Sequence, residues 1–249
     1  MEEQSTTLEI VHDLVVKAIS GDNASIQEAT ALFTNLCDTD PFELIKLLAV
    51  LAYGMGNDGC FNYPPIIRRH SCVLLGRALY YKQNNKFYTE RVLPWKNVDP
   101  AVKQFIENSV MNSLFSDDPI ILDSSIKIFS NIFILDSTNL EGFYKRIVKS
   151  AIGGEYRFID VYNALTISNE IVSHLFCSLV KDKISGILEK LQMYSIEFIA
   201  TLKYNQCTQE DYDLLRKMLA LLKNSARKDG FMSKDNKWIL LKHIKNVFT

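Results

Sequence analysis

From residue 8 onward, apolar side chains recur at i, i+3, i+4 and i+7, and short polar breakers cut the pattern into pieces of one helix length. Leu8, Val11, Leu14, Val15 and Ala18 form one stripe. Ile26, Ala29, Phe33 and Leu36 form a second, and Phe42, Ile45, Leu48, Ala52 and Met55 a third. SGDNAS at 20–25, DTDP at 38–41 and GNDGCFNYPP at 56–65 separate them. Val102, Ile106, Val110 and Leu114 follow Asp99-Pro100, and Ile121, Ile128, Ile132 and Leu135 follow Asp118-Pro119. An Asp before a Pro is a strong helix start, because the carboxylate caps free amides and Pro has no amide to waste at the first position. The pattern continues over about 139–152, 156–177, 180–203, 209–226 and 234–248.

These segments make about ten helices in about five antiparallel pairs, since the connections are short. The stripes are wide. LTISNEIVSHLF at 165–176 is apolar at Leu165, Ile167, Ile171, Val172, Leu175 and Phe176. A helix touching both its own partner and the next pair needs that width, which is the mark of stacked helix hairpins. A closed helical bundle is the alternative that periodicity leaves open. Ten Gly and six Pro in 249 residues are too few for a turn-rich β fold, and 47% apolar with 23% charged residues describes a folded chain. The longest irregular stretch is KQNNKFYTERVLPWKNV at about 82–98, where Leu93 and Trp95 are expected to pin the loop to the helices.

The net charge of −1 supplies no general attraction to nucleic acid or to an anionic membrane, and neither is expected as a partner. Its distribution is uneven. Residues 1–60 carry ten acids and two bases, and residues 181–249 carry thirteen bases and eight acids. An acidic N-terminal end favours a basic partner or is simply a solvated helix surface. The five cysteines are widely spaced without C-x-x-C, which reads as buried thiols of a reduced intracellular protein. MEEQSTTLE has no apolar core of a signal peptide, no apolar run reaches the roughly 18 residues of a membrane span, and Asn23-Ala24-Ser25 reads as a helix start.

Catalytic motifs are absent: there is no phosphate-binding loop, no G-x-G-x-x-G, no G-x-S-x-G and no H-E-x-x-H. No enzymatic activity, cofactor or metal is expected. Glu170, His174 and Cys177 could share one helix face and hold a metal in principle, but a surface Glu–His pair beside a buried Cys is by far the better account of them. KFYTERVLPWK at 86–96 mixes bases with aromatics, as single-strand binders do, yet lies in the one long loop.

RHSCVLLGRAL at 69–79, then Trp95, then VDPAVKQFI at 98–106 resembles in order and spacing the N-terminal region of the importin-β family of nuclear transport receptors. That family has an arginine, small apolar residues and a leucine–basic step, then a tryptophan, then a V-x-P-x-x-K-x-x-I helix opening. Arg69 stands at the family arginine, Arg77 at its lysine, and Val98, Pro100, Lys103 and Ile106 at the helix opening. Ala78 replaces the family asparagine, and GNDGCFNYPP lengthens the link before the second inner helix. ISGDNASIQEATALFTNL is similar to the family's first repeat, so the resemblance covers roughly residues 8–135.

The resemblance implies an all-α fold: an α-solenoid of HEAT-type antiparallel helix pairs, about five repeats, in a right-handed superhelix. Residues 1–249 would be a single array, with 1–135 the Ran-binding region and 136–249 further repeats. Because family receptors are several times longer, the chain is expected to be an N-terminal piece of one, or a reduced member. The implied partners are Ran-GTP on the inner helices, a cargo or importin-α-like adaptor, and phenylalanine–glycine (FG) nucleoporins. The implied location is cytoplasm and nucleus, including the nuclear pore. With inner helices at about 24–37, 65–81 and 118–135, the Ran contacts would be Gln27, Glu28, Thr34, Arg68, Arg77, Asp123, Ser124 and Lys127. If 180–203 is an outer helix, Ile187, Leu191, Tyr194 and Phe198 would form the nucleoporin slot, with the helix from 234 opposite. The rival function is a HEAT or armadillo scaffold unrelated to nuclear transport.

Overall fold

The computed structural model describes residues 7–79, 94–136, 139–153, 157–174, 177–201, 207–228 and 231–239. Among these residues the regular structure is helical, apart from an antiparallel bridge between Met55 and Phe61. The chain divides into two compact units, Met1–Leu135 and Asp136–Thr249.

The first unit holds α1 (Leu8–Ile19), α2 (Asn23–Thr39), α3 (Pro41–Tyr53), α4 (Pro65–Ala78), the single turn α5 (Pro94–Asn97), α6 (Pro100–Ser113) and α7 (Pro119–Leu135). Local chemistry sets most of the boundaries. The Ser25 amide donates to the Asp22 carboxylate at 2.9 Å, and the Ala101 amide to that of Asp99 at 2.8 Å. Asp40 differs: its side chain makes no capping bond, so the Pro41 start rests on proline geometry alone. Gly21, with φ of 77°, takes the left-handed turn between α1 and α2. Gly54 closes α3, where a Cβ would come within 2.5 Å of the Val50 carbonyl oxygen.

α3 and α4 form one antiparallel pair and α6 and α7 another; the pairs stack through α4 on α7 and α3 on α6. This is the two-layer ladder of a HEAT-type solenoid. The first pair departs from it. α2 packs on α1 and, beside the connecting turn, on α3, while α1 supplies the face against α4. The expectation that α2 belongs with α4 and α7 to one stacked inner layer is corrected on this point: α2 packs mainly on α1, and only Ala29, Leu36 and Cys37 of it are buried. Trp95 is fully buried, with α5 lying against α3 and α7, so it pins the loop as expected; Leu93 lies outside the described residues.

The α4–α7 contact is close because both helices present small residues. Ser71, Ala78, Ser124 and Ser125 are buried, and Gly76 lies where an added Cβ would just touch Ile128 at 3.5 Å. Tyr53 from α3 reaches into this layer and shares a hydrogen bond of 3.1 Å with Ser125. Arg69 of α4 donates at 2.7 Å to Asp118, whose other oxygen accepts the amides of Ile120 and Ile121 at the start of α7. One carboxylate therefore caps a helix and ties two repeats together.

The second unit holds α8 (Glu141–Ile152), α9 (Phe158–Ser173), a 3₁₀ turn (Cys177–Val180), α10 (Lys181–Thr201) and α11 (Gln209–Arg227); residues 234–239 are also helical. α8 pairs with α9 and α10 with α11, and the pairs stack through α8 on α10 and α9 on α11. Thr208 and Asp211 form a reciprocal capping box at the start of α11. The stacked helix pairs expected from the periodicity, and the HEAT-type pairing that the resemblance implies, are thus the observed fold class.

Candidate protein-docking surfaces

The expected Ran contacts divide by exposure. On α2, Gln27 and Glu28 are exposed and Thr34 is half-buried. Gln27 and Thr34 line a shallow depression of about 580 Å³ along α2, together with Ile26, Thr30, Ala31, Asn35 and Asp38. Glu28 lies off that depression and pairs with Lys17 of α1 at 3.3 Å. On α4, Arg68 and Arg77 are nine residues apart, which at 3.6 residues per turn puts them on roughly opposite sides of the helix. Arg77 is exposed. Arg68 is turned inward: Nε donates to the Ala52 carbonyl at 3.1 Å, and the guanidinium lies 3.1 Å from the centre of the Phe61 ring. On α7, Asp123 and Lys127 are exposed and pair with each other at 2.7 Å. Ser124 is only 6% exposed and belongs to the helix packing. Two expected contacts are therefore corrected: Arg68 is held by its own fold, and Ser124 is turned into the core.

The expected nucleoporin slot divides in the same way. Ile187, Tyr194 and Phe198 are half-buried along one edge of α10, with the Tyr194 and Phe198 ring centres 6.4 Å apart. Leu191 is fully buried and is a core residue. Gln192 donates to the Phe231 carbonyl at 2.6 Å, so residues near 231 cover the Gln192 side of α10. Ile187 stands about 140° round the helix from Gln192. The stripe therefore lies well round the helix from the Phe231 contact. The expected partner helix from 234 lies outside the described residues from residue 240 on.

α9 ends at Ser173, not at 177: His174 is its C-cap in an extended conformation, and Cys177 opens the 3₁₀ turn. Glu170, His174 and Cys177 consequently lose their common helix face. Among the described residues no group of three or more His, Cys, Asp or Glu side chains is placed to hold a metal. Burial, with Asp38 beside it, pushes the Cys37 thiol up to about 12, and burial pushes that of Cys72 to about 11, so neither is a nucleophile near neutral pH. Burial and the charge of Lys228 hold the pKa of His174 below the usual imidazole value. No helix among the described residues is long and apolar enough to cross a membrane.

Sequence reasoning passed over the α9–α11 layer. There Lys217 lies 4.8 Å from the centre of the Tyr162 ring, and the Asn224 amide donates to Asn169 and Ser173, both at 2.9 Å. Along the outer side of α11 runs Tyr212, Arg216, Leu219, Lys223, Arg227. The excess of bases after residue 181 was the available signal; the spacing of these five residues localises it.

No protein-family model and no curated protein matches the chain. Among solved structures, the chain is similar to one in a Kap95:Nup1 complex, at 13% identity and a TM-score of 0.59. The similarity covers 97% of this chain and 27% of that one, so this chain spans about a quarter of its length. That likeness, over a ladder of paired helices, shows an all-α solenoid fold of HEAT type.

Proposed function

We propose that this chain is a binding receptor of the importin-β kind, which works by presenting helix faces to protein partners and makes or breaks no covalent bond. The observation that carries this reading is the fold likeness to a karyopherin solved with a nucleoporin, running over 97% of the chain. The order of Arg69, Arg77, Trp95 and Pro100 in the first unit supports it from the sequence side. The coarser part, a HEAT-like scaffold, follows from the fold; the transport function is the proposal.

On this reading Ran-GTP contacts Gln27, Glu28 and Thr34 of α2, Arg77 of α4, and Asp123 and Lys127 of α7. Preference for the GTP form comes from Ran's own switch segments, which are ordered by the γ-phosphate. A cargo or an importin-α-like adaptor uses other faces. Ile187, Tyr194 and Phe198 offer aromatic and aliphatic surface to the phenylalanines of nucleoporin repeats. The protein then cycles between cytoplasm and nucleus through the pore.

The test is calorimetry with Ran loaded with GDP or with a non-hydrolysable GTP analogue. A clear preference for the GTP form, weakened by charge reversal at Glu28 and Arg77 together, supports the reading. Equal affinity for both forms, or none for either, returns the chain to HEAT scaffolds unrelated to transport. Chemical-shift mapping with an FG peptide tests the α10 stripe; shifts confined to other helices refute that placement.

A further inference from the structure

The outer side of α11 carries an unusual combination of side chains. Tyr212, Arg216, Leu219, Lys223 and Arg227 are spaced i, i+4, i+7, i+11 and i+15, so they fall in one stripe about 22 Å long. All five are exposed. Tyr212 and Leu219 expose 40% and 44% of their surface, although the same helix buries Leu214, Met218, Leu221 and Leu222 on its other side.

Among the described residues the three bases make one ion pair, and that a weak one. The Arg216 side chain is 80% exposed, and the Asp213 carboxylate is 4.0 Å away, a separation that solvent screens almost completely. Among the described residues no ion pair involves Lys223 or Arg227. Lys217 and Lys228 add to the local positive field, and the charge of Lys228 is felt at His174.

We propose that this stripe of α11 is a docking surface for an acidic protein segment that carries apolar side chains. Charge complementarity sets the acidic character, because three like charges on one face repel until an anionic partner arrives. The alternation sets the rest. Leu219 lies between Arg216 and Lys223, and Tyr212 lies one turn before Arg216. A segment with Asp or Glu flanking a Leu or Phe answers both features at once. A nucleic-acid backbone answers the bases but leaves Leu219 against phosphate. Exposed Tyr and Arg also carry more interface energy per residue than most side chains. The stripe shares no residue with the proposed Ran and nucleoporin contacts.

The test is fluorescence anisotropy of the full chain with a labelled twelve-residue peptide of Asp and Glu, with Leu and Phe at every third or fourth position. Two controls are the same peptide with its apolar residues replaced by Ser, and a single-stranded oligonucleotide of equal charge. Binding is expected to weaken as salt rises. Arg216→Glu with Lys223→Glu should lower affinity about tenfold or more, and Leu219→Ala severalfold, with circular dichroism unchanged in both because the residues are exposed. No binding of the acidic–apolar peptide overturns the proposal. So does binding indifferent to the double reversal. Equal binding by the oligonucleotide and the Ser peptide, insensitive to Leu219→Ala, would make the stripe a general polyanion surface instead.

Discussion

The two units reach the same paired-helix packing by different routes. All six prolines lie in residues 1–135, and each marks a helix start: Pro64 caps α4, while Pro41, Pro65, Pro94, Pro100 and Pro119 open α3 to α7. The second unit has none: α11 starts on the Thr208–Asp211 box, whereas α8 and α9 start without a side-chain cap. The buried polar groups differ too. Those of the first unit are Ser71, Ser124, Ser125, Ser130 and Glu107. The second buries larger groups: Asp160, Asn163, Thr166, Gln192 and Asn236, besides Ser168, Ser195 and Ser225. Each unit has one tyrosine–serine clasp, Tyr53–Ser125 at 3.1 Å and Tyr144–Ser168 at 2.6 Å. Prolines limit the unfolded chain and small serines let helices close up, so the first unit is specified locally. The second depends on polar partners meeting correctly, which costs more when one is missing.

The largest expected effect compares one truncation in both units. Ile128 in α7 and Ile167 in α9 are both fully buried. Ile128 faces Gly76 across the α4–α7 contact, where an added Cβ would lie only 3.5 Å away, whereas Thr166 and Ser168 precede and follow Ile167 in a more polar layer. Removing three carbons leaves a cavity whose cost depends on how far the site can relax. Ile128→Ala should cost about 4 kcal/mol and Ile167→Ala about 2 kcal/mol, within the range of roughly 2–5 kcal/mol for such changes. Native-state amide exchange read separately in α7 and α9 measures each without assuming that the whole chain unfolds in one step. Equal losses would show that the two cores are alike in rigidity.

The helices themselves were legible because their signals are local. Asp99-Pro100 and Asp118-Pro119 state a cap and a first turn in two letters, and the structure begins α6 and α7 there. The end of α9 was not legible: SHLF keeps the apolar period beyond Ser173, and no Gly or Pro interrupts it. The candidate contacts were only partly legible for a similar reason. Periodicity tells which residues are polar, not which side of a helix its neighbours cover. Arg68 and Ser124 look like surface residues in sequence, yet one answers a carbonyl and a ring and the other fits a close helix contact. Leu191 and Ile187 are four residues apart on one stripe, and only the packing separates core from edge.

A smaller effect, of opposite sign, probes the polar core of the second unit. Thr166 is 3% exposed, and its hydroxyl oxygen has no hydrogen-bond partner among the described residues. Thr166→Val keeps the shape and removes a desolvated hydroxyl, so it should stabilise α9 by about 1 kcal/mol. The same exchange measurement applies. A loss of stability would mean that the hydroxyl is satisfied in solution, and the contrast between the two cores would narrow.

The smallest effect concerns how the units cap their helices, and it is read by pH. In the first unit burial alone would raise the pKa of Asp118, but the Arg69 hydrogen bond and the Ile121 and Ile120 amides outweigh it and hold it below the ordinary 3.8. In the second unit the Thr208 backbone and hydroxyl hold Asp211 below the same value. A carboxylate with a depressed folded pKa binds fewer protons folded than unfolded, so stability rises with pH across that interval. Its contribution is complete above pH 3.8 and is lost as the pH falls through the folded value. The two sites differ in what protonation breaks. At Asp211 it weakens a cap within one helix. At Asp118 it weakens a cap and also releases Arg69, the link from α4 to α7. Amide protection factors at Ile120 and Ile121 should therefore drop more between pH 6 and pH 3 than those at the start of α11. The Asp118 contribution is expected to stay below about 1 kcal/mol, because the Arg69 partner is partly solvated. Asp118→Asn keeps an acceptor for the amides but no titrating charge, so it should flatten the pH response at α7 and leave that of α11 in place. A response at α7 that survives Asp118→Asn would assign the acid sensitivity of the first unit to some other carboxylate and remove the proposed link between its capping and its stacking.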